Sequence, residues 1–161
     1  IGFEAKSSIG DTEIVGCAPE ELEHSIQKGL AVLQSAGFAT RAYIPPFNAV
    51  DRQALTILAR KFDLVCGGPE SERWLGCLPG PCRLEGVWFL PSYPPAYGRA
   101  DEMAGFVRAA RSSDVPILIP LTLHWRWEEA DKFESVRRLL DALAGVTVTW
   151  SAWVQGHAWK P

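Results

Sequence analysis

Pro116-Ile-Leu-Ile-Pro-Leu-Thr-Leu123 carries a single polar side chain, Thr122, in an otherwise apolar run. A run that does not alternate reads as a strand buried on both faces. Such strands belong to parallel sheets with helices packed on either side. Residues 100–111 before it predict a helix, through Met103, Phe106, Val107 and Ala110. Residues 128–144 after it predict another, with Phe133, Val136, Leu139, Leu140 and Leu143 on one stripe. Val146 to Trp150 reads as a last strand.

The same alternation runs back to the start of the chain. Residues 19–36 open with Pro-Glu-Glu, a favourable first helical turn. Leu22, Ile26, Leu30 and Leu33 keep helical spacing there, and Gly37 stops it. Residues 40–44 read as a strand ended by Pro45-Pro46, and residues 50–61 as a helix with Leu55 and Leu58 inward. Leu64-Val65-Cys66 is a short buried strand before Gly67-Gly68-Pro69. Residues 69–82 read as loop with one helical turn, residues 85–90 as a strand and 91–98 as a proline-rich loop. The expected class is α/β with parallel strands, in one domain over residues 1–161. Periodicity does not say whether the sheet closes into a barrel.

Parallel α/β folds carry their sites at the carboxyl ends of the strands. Three loops there are chemically unusual: Pro45-Pro46-Phe47-Asn48, Gly67-Gly68-Pro69-Glu70-Ser71 and His124-Trp125-Arg126-Trp127-Glu128. His124 ends the apolar strand, where a partly desolvated imidazole works as acid or base near neutral pH. Its competing reading is a hydrogen bond to a neighbouring strand. Trp125 and Trp127 alternate along an extended segment, so they share a side. They make a sugar platform or cap the core. Asn48, in a loop stiffened by prolines, either offers its amide to a substrate hydroxyl or makes the turn. Glu128 and Glu70 read either as helix first-turn acids or as partners of a ligand. Together they are the one obvious carboxylate pair for glycoside hydrolysis.

The remaining ionisable and sulfur groups add limits. His24 falls opposite Leu22 and Ile26 and reads as solvated. His157 lies beside Trp153 and Trp159 and reads as a packing or mobile tail residue. No two histidines have metal-ligand spacing, whereas a hydrolytic zinc needs three protein ligands. Cys77 and Cys82 flank Leu-Pro-Gly-Pro, a turn compatible with a disulfide or with two reduced thiols. The seven tryptophans suit a core and also suit carbohydrate faces. A formal charge of −3 argues against a nucleic-acid partner. No apolar run reaches the roughly 18 residues of a membrane span. No signal peptide is recognisable, and the opening at Ile1 rather than Met suggests a processed or trimmed product.

These segments, in this order, resemble the polysaccharide-deacetylase (NodB-homology) superfamily and its bacterial branch. Glu13-Ile-Val-Gly16, Pro19-Glu-Glu-Leu22 and Gly29-Leu-Ala-Val-Leu33 resemble the approach to that family's third motif. Pro45-Pro46-Phe47-Asn48 resembles the proline–aromatic third motif itself, and Pro120-Leu-Thr-Leu-His124 the final motif. The resemblance implies a distorted (β/α) barrel and metal-dependent removal of an acetyl group from a sugar or related amide. It implies His124 as the acid and a divalent metal such as zinc, while Pro46, Phe47, Asn48, Glu70, Trp125, Trp127 and Glu128, read from the three loops, are expected around the substrate. The sequence departs from that pattern. It holds no Asp-Asp pair, Arg41 stands too early for the third-motif arginine, and Ile1 and Ala5 occupy the places of two ligand histidines. Either the front of the domain is missing or the member is degenerate. Three functions stay open: a deacetylase-like hydrolase, a carbohydrate-binding domain using Phe47, Trp125 and Trp127, and a metal-free glycosidase using Glu70 and Glu128.

Overall fold

A computed structural model describes residues 13–93, 96–112 and 119–156. The readings of Ile1, Ala5 and His157, and of the apolar run up to residue 118, fall outside those residues. Contacts divide the chain into two compact units, Ile1–Ser92 with Trp150–Pro161, and Tyr93–Thr149.

The first unit is built on a four-stranded sheet of order β1-β2-β4-β3. Its strands are β1 (Ala42–Tyr43), β2 (Leu64–Gly67), β3 (Cys82–Leu84) and β4 (Val87–Pro91). β1, β2 and β4 run parallel, with Leu64 opposite Trp88 and Cys66 opposite Leu90. β3 returns antiparallel on β4, and the 69–82 loop reading did not anticipate it. Among the described residues the sheet is open, and no closed barrel forms.

Side chains along β2 and β4 alternate between two cores, as a pleated strand requires. Val65, Val87 and Phe89 pack with α1 (Pro19–Ser35) and α2 (Arg52–Ala59), through Leu22, Ile26, Leu55 and Leu58. Leu64, Cys66 and Leu90 pack on the other face against Trp153 of α7 (Trp150–Gly156). The Trp153 ring meets Trp88 edge-on at 5.0 Å. Burial on both faces is why β2 reads as continuously apolar. Asp51 caps α2, its Oδ1 accepting from Ala54 N at 2.7 Å. A four-residue helix α3 (Glu72–Leu75) supplies the helical turn expected in 69–82.

Val146 to Trp150 is not a strand. Residues 146–149 are turn and coil, and Trp150 starts α7. Val146 and Val148 are 53% and 51% exposed, and no described strand pairs with them. β-branched composition alone does not make a strand without a ladder partner.

The second unit pairs β5 (Ala96–Tyr97) with β6 (Leu121–Thr122) in parallel. α4 (Ala100–Arg111) packs on α6 (Glu134–Ala142) around Ala96, Met103, Val107 and Leu139. Gly98 precedes α4 at φ 150°, and a Cβ there would stand 2.7 Å from Glu102 Oε2. The helix expected over 128–144 is shorter and starts at Glu134. Lys132 and Phe133 take φ of 56° and 65°, which breaks it. Across the break, Asp131 Oδ2 accepts from Ser135 N at 3.0 Å and from Ser135 Oγ, tying the turn to the first residues of α6. That bond holds the Asp131 carboxyl below the usual carboxylate range. Phe133 is consequently exposed, not on the buried stripe.

All four cysteines are free. No described helix is long and apolar enough to cross a membrane.

Candidate functional site

The carboxyl ends of β1, β2 and β4 meet at one residue, Asn48. Pro46–Asn48 is a single short turn after β1. Inside it Phe47 and Asn48 adopt φ of 54° and 55°, two successive non-glycine residues in the left-handed region. Asparagine tolerates that region; phenylalanine does so at a cost of about 1–2 kcal/mol. Surrounding bonds hold the turn in place. Asn48 O accepts from Gly68 N at 2.7 Å and from Ser71 Oγ at 2.9 Å, both just past β2. Asn48 Oδ1 accepts from Ser92 Oγ at 2.7 Å, just past β4. Ser92 N in turn donates to Gly67 O at 2.8 Å. Among the described residues nothing accepts from the Asn48 amide nitrogen. The Phe47 ring is 55% exposed beside it. Pro46 is half-buried, and Glu70 is exposed on the Pro69–Ser71 turn.

Gly67 keeps this junction close. A Cβ at Gly67 would stand 2.8 Å from Phe89 Cζ and 2.9 Å from Ser71 Oγ. The sequence singled out Gly67 and Asn48, but not that Ser71 and Ser92 lock the turn.

His124, Trp125, Trp127 and Glu128 all belong to the second unit. His124 does not end a buried strand. β6 is half-buried and His124 is exposed. Its Nε2 and the Tyr97 hydroxyl are hydrogen-bonded at 2.8 Å. Its ring lies 4.2 Å from that of Trp127 at 37°, and Tyr97 meets both rings edge-on. Tyr93 packs on Tyr97 at 5.1 Å. Trp125 and Trp127 do not alternate along a strand. They sit on a helical turn, α5 (Trp125–Glu128), closed by Trp127 N to His124 O. Two residues apart on a helix point to different sides, so they form no shared platform. They are 66% and 41% exposed.

Glu128 is not a surface acid. It is fully buried at 0% exposure, and its Oε1 accepts from Ala100 N at 3.0 Å, at the start of α4. Its Oε2 is buried without a partner. A carboxylate on a helix N-terminus complements the dipole there, which is a structural role. Arg99 lies in its field and donates to Trp127 O at 3.3 Å. The hydrogen bond to Asp101, above all, raises the Arg99 guanidinium further. Burial of Glu128 removes one of the two facing carboxylates a glycosidase needs.

His24 is exposed, as its helix phase predicts. Among the described residues no three His, Cys, Asp or Glu side chains come together to hold a metal. The donor set of a hydrolytic zinc is therefore not met by these residues. Comparison with family models, curated proteins and solved structures finds no match to the chain.

Proposed function

We propose that this chain is a polysaccharide-deacetylase-like domain that binds an acetylated sugar or related amide at the Phe47–Asn48 turn. The observation that carries the reading is that turn. Two left-handed non-glycine residues are held at the carboxyl ends of three parallel strands, the end where parallel folds place ligands. Strain maintained by surrounding bonds is characteristic of functional positions. The exposed Phe47 ring presents a flat apolar face suited to the C–H face of a pyranose. The Asn48 amide beside it is a donor for a hydroxyl or acetyl carbonyl oxygen. An aromatic wall with a few fixed polar groups is the common make-up of small-molecule sites. The same four residues carry the resemblance to the family's third motif, and we read the open sheet as part of that family's distorted barrel. The described residues offer no zinc ligand set, so the reading is one of binding.

The test is calorimetric titration with N-acetylated and de-acetylated chito-oligosaccharides, on the wild-type chain and on Asn48→Asp. That substitution keeps the acceptor for Ser92 and the tolerance of positive φ, and removes the amide donor. Binding that prefers the acetylated ligand and is lost in Asn48→Asp supports the reading. Equal affinity of the two proteins, or no binding by either, sinks it. Acetate release together with about one retained zinc per chain would move it to the hydrolase.

A further inference from the structure

Among the described residues, Tyr97 makes the one hydrogen bond to the His124 ring. The imidazole is held on several sides. Trp127 lies at 4.2 Å, Tyr97 meets it edge-on at 5.2 Å, and the phenol occupies Nε2 at 2.8 Å. Nδ1 has no partner among the described residues. Tyr97 is fixed in turn by the β5–β6 pairing, which sets it opposite Thr122, and by the Tyr93 ring.

A phenol is a good donor and a poor acceptor, and a bare imidazole nitrogen is a good acceptor. Nothing else among the described residues accepts the Tyr97 proton. The bond a histidine makes at one nitrogen decides which nitrogen carries the proton. We infer that Tyr97 is a positioning residue: its hydroxyl donates to His124 Nε2 and holds the neutral ring as the Nδ1–H tautomer. His124 then presents a donor outward. The atom it serves is an oxygen acceptor, such as an acetyl carbonyl or a sugar hydroxyl oxygen. Nδ1 of the neutral ring already carries its proton, so it takes up none from a ligand and offers that ligand a hydrogen bond instead. The ligand class rests on the carbohydrate reading above, but the tautomer does not.

The tautomer is read directly from long-range proton–nitrogen correlation spectra of the nitrogen-15-labelled protein, recorded above the histidine titration range. His124→Gln identifies the His124 signals against those of His24 and His157. We expect a protonated Nδ1 and a bare Nε2 in the wild-type protein. Tyr97→Phe keeps the ring contacts and removes the hydroxyl, so Nε2–H should become the main form. A wild-type ring with Nε2–H, or a Tyr97→Phe ring unchanged from wild type, overturns the assignment. If Tyr97→Phe does not fold, the wild-type spectrum alone decides. An Nδ1–H ring in a protein that binds no acetylated sugar supports the inference and removes the carbohydrate reading.

Discussion

Ser71 Oγ donates to the carbonyl oxygen of Asn48 at 2.9 Å and accepts from Val50 N at 3.3 Å, so one hydroxyl bridges both sides of the strained turn. Ser71 is fully buried. Ser71→Ala leaves a buried N–H without its acceptor, which costs about 1–3 kcal/mol. Phe47 and Asn48 then lose part of what keeps them left-handed. We expect lower stability by denaturant titration and, separately, weaker ligand binding under conditions where the variant is fully folded. A variant that loses stability but keeps full affinity would show that the turn does not need Ser71 to keep its shape.

Gly67 is set by space, since its Cβ would enter Phe89 and Ser71. Phe89 is a fully buried core residue and cannot swing away. Gly67→Ala should destabilise by about 1–3 kcal/mol, the usual cost of overpacking. Adding Phe89→Leu opens room at the ring's far end. The pair should then fall short of the sum of the single losses, because the residues touch. Strict additivity in thermal or urea unfolding would rule out the clash as the cause.

Glu128 separates shape from charge. Glu128→Ala removes the acceptor for Ala100 N and opens a cavity, and should cost about 2 kcal/mol. Glu128→Gln keeps an acceptor for Ala100 N and removes the carboxylate charge, with an unpaired amide nitrogen taking the place of the unpaired oxygen. It should stay within about 1 kcal/mol of wild type. A glutamine variant as damaged as the alanine one would mean that the negative charge beside Arg99 is itself required.

Legibility followed locality. β2 was readable as a short buried strand, because Leu64, Val65 and Cys66 are consecutive apolar residues that a pleated strand turns to two cores. The helix over Ala100–Arg111 was also readable from its spacing. The network that fixes Asn48 was not, because its partners Ser71 and Ser92 lie 23 and 44 residues away. Tyr97 was hidden in the same way, 27 residues before His124. The break at Lys132-Phe133 had a local signal in Asp131 and Ser135, but a continuous apolar stripe overrode it. Trp125 and Trp127 misled through an assumed period of two, where the chain makes a helical turn instead.

Cys66 gives the alkaline limit of the first unit. Burial pushes its thiol from an ordinary 9.0 up to about 12. Burial, with a smaller contribution from Glu13, pushes the Tyr43 hydroxyl from 10.0 to about 12 as well. Well below pH 9 folded and unfolded chains both hold these protons, and stability is unaffected. Above it the unfolded chain ionises first, so stability falls as pH rises and is lost progressively toward pH 12. Each group contributes up to about 1.4 kcal/mol per pH unit in its window. Cys66→Ala should therefore lower stability near neutrality through a small cavity, yet flatten the alkaline slope in urea midpoints taken between about pH 8 and 11. The same burial predicts that thiol reagents modify the partly exposed Cys17, Cys77 and Cys82 in the native protein and reach Cys66 only after unfolding. Rapid native labelling of Cys66 would mean that the face under Trp153 opens readily, and the expected pH slope would then shrink with it.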